Sequence, residues 1–326
     1  MKKCLIAGLV IFNSSFALAH DYESARPDSH APYGVMGDHT HKLGEVMVSY
    51  RFMRMEMDGN RDGTDRLSES EVLADFPVAP KKMTMDMHMF GAMYAPNDKL
   101  TLMAMIPIID LSMDHVTRMG GKFTTKTDGF GDVKLSGLYS LYEHGNHRVH
   151  LNAGISLPTG SIDERDDTPV MANAILPYPM QLGSGTYDLL PGITYNGQTT
   201  AWSWGAQLSG VIRLGENDED YTLGDKVELT GWVARKWNDH ISTSFRLAGM
   251  SWGNIDGRDD RLNPNLIPTA DTNRRGGDRI DALVGINYKM AGFRISAEVG
   301  APVYQHLDGP QLETDWLGTV GVQYAF

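Results

Sequence analysis

The segment 316–326 alternates between two kinds of side chain, and this period of two constrains the fold more than any other feature of the sequence. One set is aromatic or aliphatic apart from a single glycine, and comprises Trp316, Gly318, Val320, Val322, Tyr324 and Phe326. The residues between them are smaller or more polar. Successive side chains of a β-strand point to opposite faces, so this strand has one apolar face with aromatic residues near both ends. Such a strand suits the wall of a β-barrel in a lipid bilayer.

Both ends of the chain predict the same compartment. Two lysines and an apolar run precede the small-x-small sequence that ends at Ala19, which predicts a secretory signal peptide over residues 1–19. The terminal Phe326 resembles the last residue that bacterial outer-membrane proteins present to their assembly machinery. We therefore expect Sec-type export and insertion into the bacterial outer membrane. The expected partners are outer-membrane lipid and, through Phe326, the barrel-assembly machinery.

Eleven other segments also alternate, which predicts an all-β fold: an antiparallel transmembrane β-barrel of about 12 strands over residues 45–326. The connections between them are alternately tight and long, as in barrels that have short periplasmic turns and long external loops. Asn196-Gly197 is a strong signal for one of the tight turns. Residues 20–44 are expected to form a periplasmic N-terminal extension that contains His and Met. The formal charge of −12 argues against a nucleic-acid partner.

Two short motifs, Ser156-Leu157-Pro158-Thr159-Gly160 and Gly185-Thr186-Tyr187-Asp188, carry a family resemblance. They resemble landmarks of a large family of bacterial outer-membrane proteins that is named for the MetA pathway of phenol degradation. The resemblance implies a barrel of about twelve strands and a transport role, and it provides no catalytic residues. It also implies phenol-related solutes, but the first third of this chain departs from that theme.

Methionine is concentrated in that first third, where 14 of the 19 methionines lie between Met36 and Met119. Within three predicted strands they share odd parity, so each set occupies one face of its strand. The even positions of the first and third strands are apolar and suit lipid, which places the methionines in the lumen. In the second strand, Asp86 and His88 occupy the even face, and an inward methionine face requires these two residues to lie at or above the outer interface.

Thioethers favour soft metal ions such as Cu(I), and imidazoles suit several transition metals. The predicted soft-metal ligands, including three residues that precede the first strand, are Met36, His39, His41, Met53, Met55, Met57, Met83, Met85, Met87, Met89, Met103 and Met105. We expect Met85, Met87 and Met89 to line the outer half of the lumen, and Met103 and Met105 to lie nearer mid-depth. The alternative is that methionine serves as a flexible packing residue.

A second metal hypothesis concerns calcium. Asp58, Asn60, Asp62 and Glu69 fit the spacing of an acidic calcium loop, with Gly63 at the turn. However, the segment connects predicted strands rather than helices, and a solvated acidic loop is the alternative interpretation.

The sequence therefore predicts an outer-membrane transporter or porin-like channel, with copper as a possible cargo. The alternative is a channel for small apolar or aromatic solutes. A non-transporting structural or adhesive barrel also stays open. No enzyme is expected and no cofactor is certain, because His88 is the only histidine suited to an outer strand face and no serine is obviously paired with it.

Overall fold

The computed structural model describes residues 22–326, so the predicted signal peptide lies outside the described residues. The strands are β1 Val46–Gly63, β2 Asp65–Leu67, β3 Val78–Asn97, β4 Leu100–Thr117, β5 Lys122–Phe130, β6 Val133–His144, β7 His147–Leu157, β8 Arg165–Asp166, β9 Ala174–Ile175, β10 Tyr187–Gln198, β11 Trp202–Leu214, β12 Tyr221–Thr222, β13 Lys226–Lys236, β14 Ile241–Trp252, β15 Asp256–Gly257, β16 Gly277–Met290 and β17 Phe293–Ala325. The helical elements are α1 Glu69–Asp75 and three 3₁₀ turns at Tyr178–Met180, Pro268–Ala270 and Thr272–Arg274. Within the described range, no helix combines the length and apolar character that crossing a membrane requires.

Eleven strand elements form a closed antiparallel barrel, which confirms the predicted fold class. Their order is β1, β3, β4, β6, β7, β10, β11, β13, β14, β16 and β17, and the pairing of β17 with β1 closes the wall. The long element β17 pairs with β16 through residues 293–307 and with β1 through residues 307–325. Its two ends meet, since the Ala325 amide donates to the Gly292 carbonyl. The element therefore doubles back and contributes two strand segments to the wall, so the barrel wall contains twelve strand segments in all.

The reversal within β17 depends on a close approach between backbones. A Cβ atom at Gly309 would collide with the carbonyl oxygen of Arg61. The Gly309 amide instead donates to the Asp62 carboxylate at 3.1 Å. Only glycine leaves enough space for this contact between the turn and the end of β1.

The hairpin predicted at Asn196-Gly197 is wrong by a few residues. Strand β10 continues to Gln198, and the turn is closed by the Thr199 amide, which donates to the Trp202 carbonyl. The Asn196 side chain is buried in the lumen, where its Nδ2 donates to the Asp38 carbonyl at 2.8 Å. A tertiary contact thus overrides the local turn preference of the dipeptide.

The two faces of the wall have opposite character. Large apolar side chains are exposed on the outside, including Val48, Phe90, Leu102, Leu151, Ile193, Leu208, Phe245, Val284, Ile295 and Val320. Much of the inner face is buried and polar, as Thr101, His150, Thr194, Gln207, Thr230, Arg246 and Glu298 show. This apolar-out, polar-in alternation is the reverse of a soluble sheet and is the arrangement that a bilayer requires.

Candidate functional site in the barrel lumen

Residues 22–44, which we call the luminal segment, do not form the separate extension expected from the sequence, because residues 26–41 lie inside the barrel, while residues 23–25 and 42–44 are exposed. Asp28, Ser29 and Asp38 are buried. Side chains of the wall hold the backbone of the segment: Gln207 Nε2 donates to the Met36 carbonyl at 2.9 Å, and His150 Nε2 donates to the Gly37 carbonyl at 2.9 Å. A loop in the lumen finds hydrogen-bond partners on the polar inner face, which replace the water that an extension would contact.

The structure places the methionine faces of β1, β3 and β4 in the lumen, including the second of these strands. Strands β1 and β3 are in a register that sets Met53 opposite Met87, Met55 opposite Met85 and Met57 opposite Met83. In the same way Met93 lies opposite Met103, and Met83 lies opposite Met113. Directly opposed side chains on one face have Cβ atoms about 4.5–5.5 Å apart, so each pair can present two thioethers to one ion.

A cavity of about 590 Å³ lies between the methionine face and the opposite wall. Its methionine side contains Met53, Met87, Met89, Met103 and Met105. Its polar side includes Asn152, Ser156, Gln207, Lys226 and Glu228, and the luminal segment contributes Gly34, Val35 and Met36. Met103 is the fourth residue of β4, so the methionine surface extends lower than the expected mid-depth position.

A smaller cavity of about 170 Å³ is lined by Met55, Met57, Met83 and Met113, whereas Met85 packs against a buried apolar cluster and lines neither cavity. Here the sulfur of Met55 already accepts contacts from Arg279 Nη1 at 3.9 Å and from Thr314 Oγ1 at 3.8 Å. A guanidinium beside a thioether opposes a second cation. The larger cavity also contains Lys134, Arg213 and Lys226, which Asp132, Asp188 and Glu228 offset in number, so it is the better candidate for a metal ion.

Three histidine rings of the luminal segment form a cluster, of which the sequence analysis identified only two. The ring centroids of His30 and His39 are 3.8 Å apart, and those of His39 and His41 are 4.8 Å apart. One donor atom each from His30, Asp38 and His39 lies within 4.8 Å of the others. The turn residues Pro32 and Gly37, which lie between the histidines in the sequence, could have indicated that His30 joins the cluster. The Val35 amide donates to the Pro32 carbonyl, and Gly37 has a φ of 62°, so the chain turns back and brings His30 to His39.

Two carboxylates orient this cluster. His39 Nδ1 lies 2.8 Å from the Asp38 carboxylate, and His41 Nδ1 lies 3.2 Å from Glu45. Burial lowers the pKa of His30 well below its usual value and that of His41 to about 4, so both rings are neutral at pH 7. The pKa of the Asp38 carboxyl also falls, since contact with His39 and the Ala31 amide outweighs its burial. The His30 and His41 rings are therefore neutral imidazoles that lie close to an ionised carboxylate.

The predicted calcium ligands are not brought together. Asp58, Asn60 and Asp62 lie along β1, and the tight turn that follows joins β1 to β2, with Asp62 opposite Asp65. Asn60 is buried and donates to the Pro80 carbonyl at 2.7 Å, and Glu69 pairs with Lys81 at 2.7 Å. An extended strand points alternate oxygens along one line and does not surround an ion.

Asp86 and His88 lie on the outer face, as an inward methionine face requires. Asp86 is 3.6 Å from Arg54, within a polar group of side chains that includes Glu56 and Lys82. His88 Nδ1 lies 2.8 Å from the hydroxyl of Tyr50, so its partner on this face is a phenol and not a serine.

The two short family motifs meet at one structural position. Asp132 accepts from the Gly160 amide at 2.9 Å and from the Ser184 amide at 2.8 Å. Nearby, Asp188 accepts from Thr186 Oγ1 at 2.7 Å and forms an ion pair with Arg213. These bonds anchor the ends of the long connection between β7 and β10 to the barrel wall, which explains the motifs as structural features.

Several outer-membrane barrels are among the solved structures to which this chain is similar. The COG4313 outer membrane channel from Pseudomonas putida F1 is 15% identical, with a TM-score of 0.65 over 90% of this chain and 99% of that chain. The KdgM porin is 12% identical, with a TM-score of 0.42 over 86% of this chain and 99% of that one. The translocator domain of the autotransporter NalP from Neisseria meningitidis is 10% identical, with a TM-score of 0.43 over 89% and 91%.

The closed barrel, its polar lumen and its likeness to the first of these structures define the fold: an antiparallel β-barrel of the outer-membrane type. The chain belongs to the family described as "Putative MetA-pathway of phenol degradation", whose model matches residues 74–309. None of the curated proteins matches it significantly.

Proposed function

We propose that this protein is an outer-membrane channel for a soft metal ion, with Cu(I) as the preferred ion. The observation that carries the proposal is the register of β1, β3 and β4, which converts odd-parity methionines into opposed thioether pairs in the lumen. Thioethers bind Cu(I) and discriminate against Mg(II), which prefers oxygen ligands.

The number and arrangement of the pairs suit transport better than storage. Neighbouring pairs on one strand are two residues apart, which is about 6.8 Å, so an ion can move between pairs in short steps. Conduction requires sites that are strong enough to admit the ion and weak enough to release it. A series of neutral two-sulfur sites meets this requirement, whereas one site with charged ligands would retain the ion.

The luminal segment also favours a small cargo. It lies across the barrel and contributes Gly34, Val35 and Met36 to the boundary of the larger cavity. A bare or thioether-bound ion can pass this segment by a narrow path, whereas a large hydrophilic solute can pass only if the segment moves out of the lumen. Met36 extends the thioether series to the luminal segment itself.

A second candidate cargo is a small apolar or aromatic solute. The larger cavity also contains Pro107, Ile109, Leu182 and Leu190, and its volume is within the range of small-molecule sites. The description of the family points to the same solutes. Methionine is adaptable enough to pack against an aromatic ring, so the methionine face alone does not separate the two candidates.

Flux measurements on proteoliposomes distinguish them. The test variant replaces Met53, Met87 and Met103 by leucine, which keeps the volume and removes the sulfur. The matched control replaces Met119, Met171 and Met290, which are exposed outside the lumen. We expect the test variant to lose most of the Cu(I) flux and to retain flux of phenol, while the control keeps both. Equal Cu(I) flux in both variants would reject the metal proposal, and wild-type phenol flux alone would favour the second candidate.

A further inference from the structure

We propose that His30, His39 and His41 form a binding site for one transition-metal ion, distinct from the methionine face, that fixes the luminal segment in the barrel. The inference does not rest on the proposed transport of Cu(I). It concerns nitrogen ligands on the luminal segment, and it holds whether or not the methionines bind an ion.

Two ring nitrogens of the cluster lack a hydrogen-bond partner. His39 Nε2 and His41 Nε2 are both buried, and neither has a hydrogen-bond partner within residues 22–326. His41 as a whole is only 7% exposed. A buried acceptor that lacks a partner costs free energy, so two such nitrogens in neighbouring rings favour a ligand that binds both.

Two carboxylates orient the rings of His39 and His41. Asp38 lies at hydrogen-bond distance from His39 Nδ1, and Glu45 lies at that distance from His41 Nδ1. Each carboxylate holds its ring in the tautomer that has a proton on Nδ1 and a free lone pair on Nε2. Histidine ligands of metal sites have this same outer partner, which orients the ring and makes the ligating nitrogen more basic.

A third ring lies beside the other two. The ring centroids of His30 and His39 are 3.8 Å apart with the planes tilted by 55°, and His30 Nδ1 is 3.9 Å from Asp38 and accepts from Gln323 Nε2 at 3.2 Å. One donor atom each from His30, Asp38 and His39 already lies within 4.8 Å of the others, and the His41 ring centroid is 4.8 Å from that of His39. Zinc sites have metal–nitrogen distances near 2.0–2.1 Å, so the rings must rotate to converge on one ion. Asp38 completes the set as the orienting group or as a fourth ligand.

The chemistry of the donors defines the class of ion. Neutral imidazoles suit copper, zinc and nickel, and among divalent ions the affinity of such sites is highest for Cu(II). Arg51 and Arg294 are close enough to act electrostatically on Asp38 and His30, respectively, and oppose a cation. Asp38 and Glu45 offset part of this charge. Sulfur donors are absent from the three-ring set, so its preference differs from that of the methionine face.

An ion at this site would join residues at both ends of the turn between His30 and His41. Wall contacts already hold this turn, since the His41 amide donates to Thr101 Oγ1 at 2.8 Å and Asn196 Nδ2 donates to the Asp38 carbonyl at 2.8 Å. The ion would therefore reduce the movement of the luminal segment away from β4 and β10. Binding of the ion would therefore make it harder for the luminal segment to move and open the lumen.

Metal titration of the purified protein tests the site. We expect one equivalent of Cu(II) or Zn(II) after passage over a chelating resin, and an electron paramagnetic resonance spectrum of the Cu(II) form with nitrogen splitting. The test variant is His39→Gln with His41→Gln, and the matched control is His144→Gln with His240→Gln at short turns of the barrel. Loss of the tight equivalent in the test variant only supports the site. An equal stoichiometry in both variants, or a spectrum without nitrogen ligands, would overturn it.

A thiol-accessibility measurement gives a readout that a misfolded variant cannot mimic. Thr40→Cys is introduced into the wild-type site, with Cys4, the only cysteine of the sequence, replaced by Ser. We expect Zn(II) to slow labelling by a water-borne maleimide at least several-fold, and the effect to disappear when His30 is also replaced by Gln. The methionine-to-leucine variant should keep this protection, which separates the histidine site from the proposed Cu(I) path. Labelling that ignores Zn(II) would show that the ion does not fix the segment.

Discussion

Two regions of the barrel wall share one outer surface and differ on the inside. Strands β1, β3 and β4 present methionines to the lumen, whereas β7, β10, β11, β14 and β17 present amides, hydroxyls and charged groups. The polar wall makes most of the side-chain bonds to the luminal segment, through residues such as Asn152, Asn196, Gln207 and Glu298. The methionine wall lines the larger cavity through residues such as Met53 and Met87, and elsewhere it packs into buried apolar clusters, as Met83 and Met93 do. Contact with lipid requires every second residue of each strand to be apolar. The residues between them face the lumen, where one side of the wall holds the luminal segment and the other side carries the candidate ligands.

The difference has an energetic consequence. The groups on the polar wall are buried and bonded in pairs, so removing one member leaves the other without a partner. The methionines make adaptable apolar contacts, and a residue of similar volume replaces most of them. We therefore expect stability to depend on the polar wall and ligand chemistry to depend on the methionine wall.

The largest expected effect is on the polar wall. Arg246 and Glu298 form a buried two-bond ion pair at 2.8 and 2.9 Å, and Glu298 also accepts from the Gly34 amide of the luminal segment. Arg246→Ala leaves a buried carboxylate without its cation and should lower the free energy of unfolding by about 3–5 kcal/mol. Urea unfolding in lipid vesicles measures this change in the free energy of unfolding.

The control for that change is Arg54→Ala on the outer face, where the Arg54 side chain is 41% exposed beside Glu56 and Asp86. A partly exposed pair should contribute about 0–1 kcal/mol. Equal losses for the two variants would contradict the assigned difference between the buried polar wall and the outer surface.

A smaller effect is expected where the wall holds the luminal segment. Gln207 Nε2 donates to the Met36 carbonyl and to Thr194 Oγ1, both at 2.9 Å. Gln207→Ala should cost about 1–3 kcal/mol, because buried acceptors lose their donor. It should also raise the single-channel conductance in planar bilayers, since the segment is held less firmly. Unchanged conductance together with lowered stability would show that the segment does not limit the path.

The barrel could be predicted from the sequence because its signal is local. Alternation along one strand, such as the one that ends at Phe326, is visible without knowing its neighbours. The parity of Met85, Met87 and Met89 was visible for the same reason. Register was not: it depends on how two strands align, and only the structure shows Met55 opposite Met85.

The position of the luminal segment was beyond sequence reasoning for a different reason. Its bonds join residues far apart in the chain, such as Met36 with Gln207, and they form only after the barrel closes. His30 was missed because a turn through Gly37 brings it beside His39. The acidic motif at Asp58 failed because strand pairing extended a segment whose spacing suits a loop. Local patterns predict the wall, and contacts across the lumen decide what the wall encloses.

The most direct measurement of the central claim is X-ray absorption at the copper edge of purified protein in which His39 and His41 are replaced by glutamine, so that the imidazole site is removed, loaded with one equivalent of Cu(I). We expect sulfur neighbours in this background and in the same background with the exposed Met119, Met171 and Met290 replaced by leucine. Replacing Met53, Met87 and Met103 by leucine should remove most of the sulfur signal and weaken binding at least tenfold, while stability changes by less than about 1.5 kcal/mol per substitution. A spectrum with nitrogen and oxygen neighbours only, unchanged by these leucines, would show that the methionines are packing residues and would contradict the account.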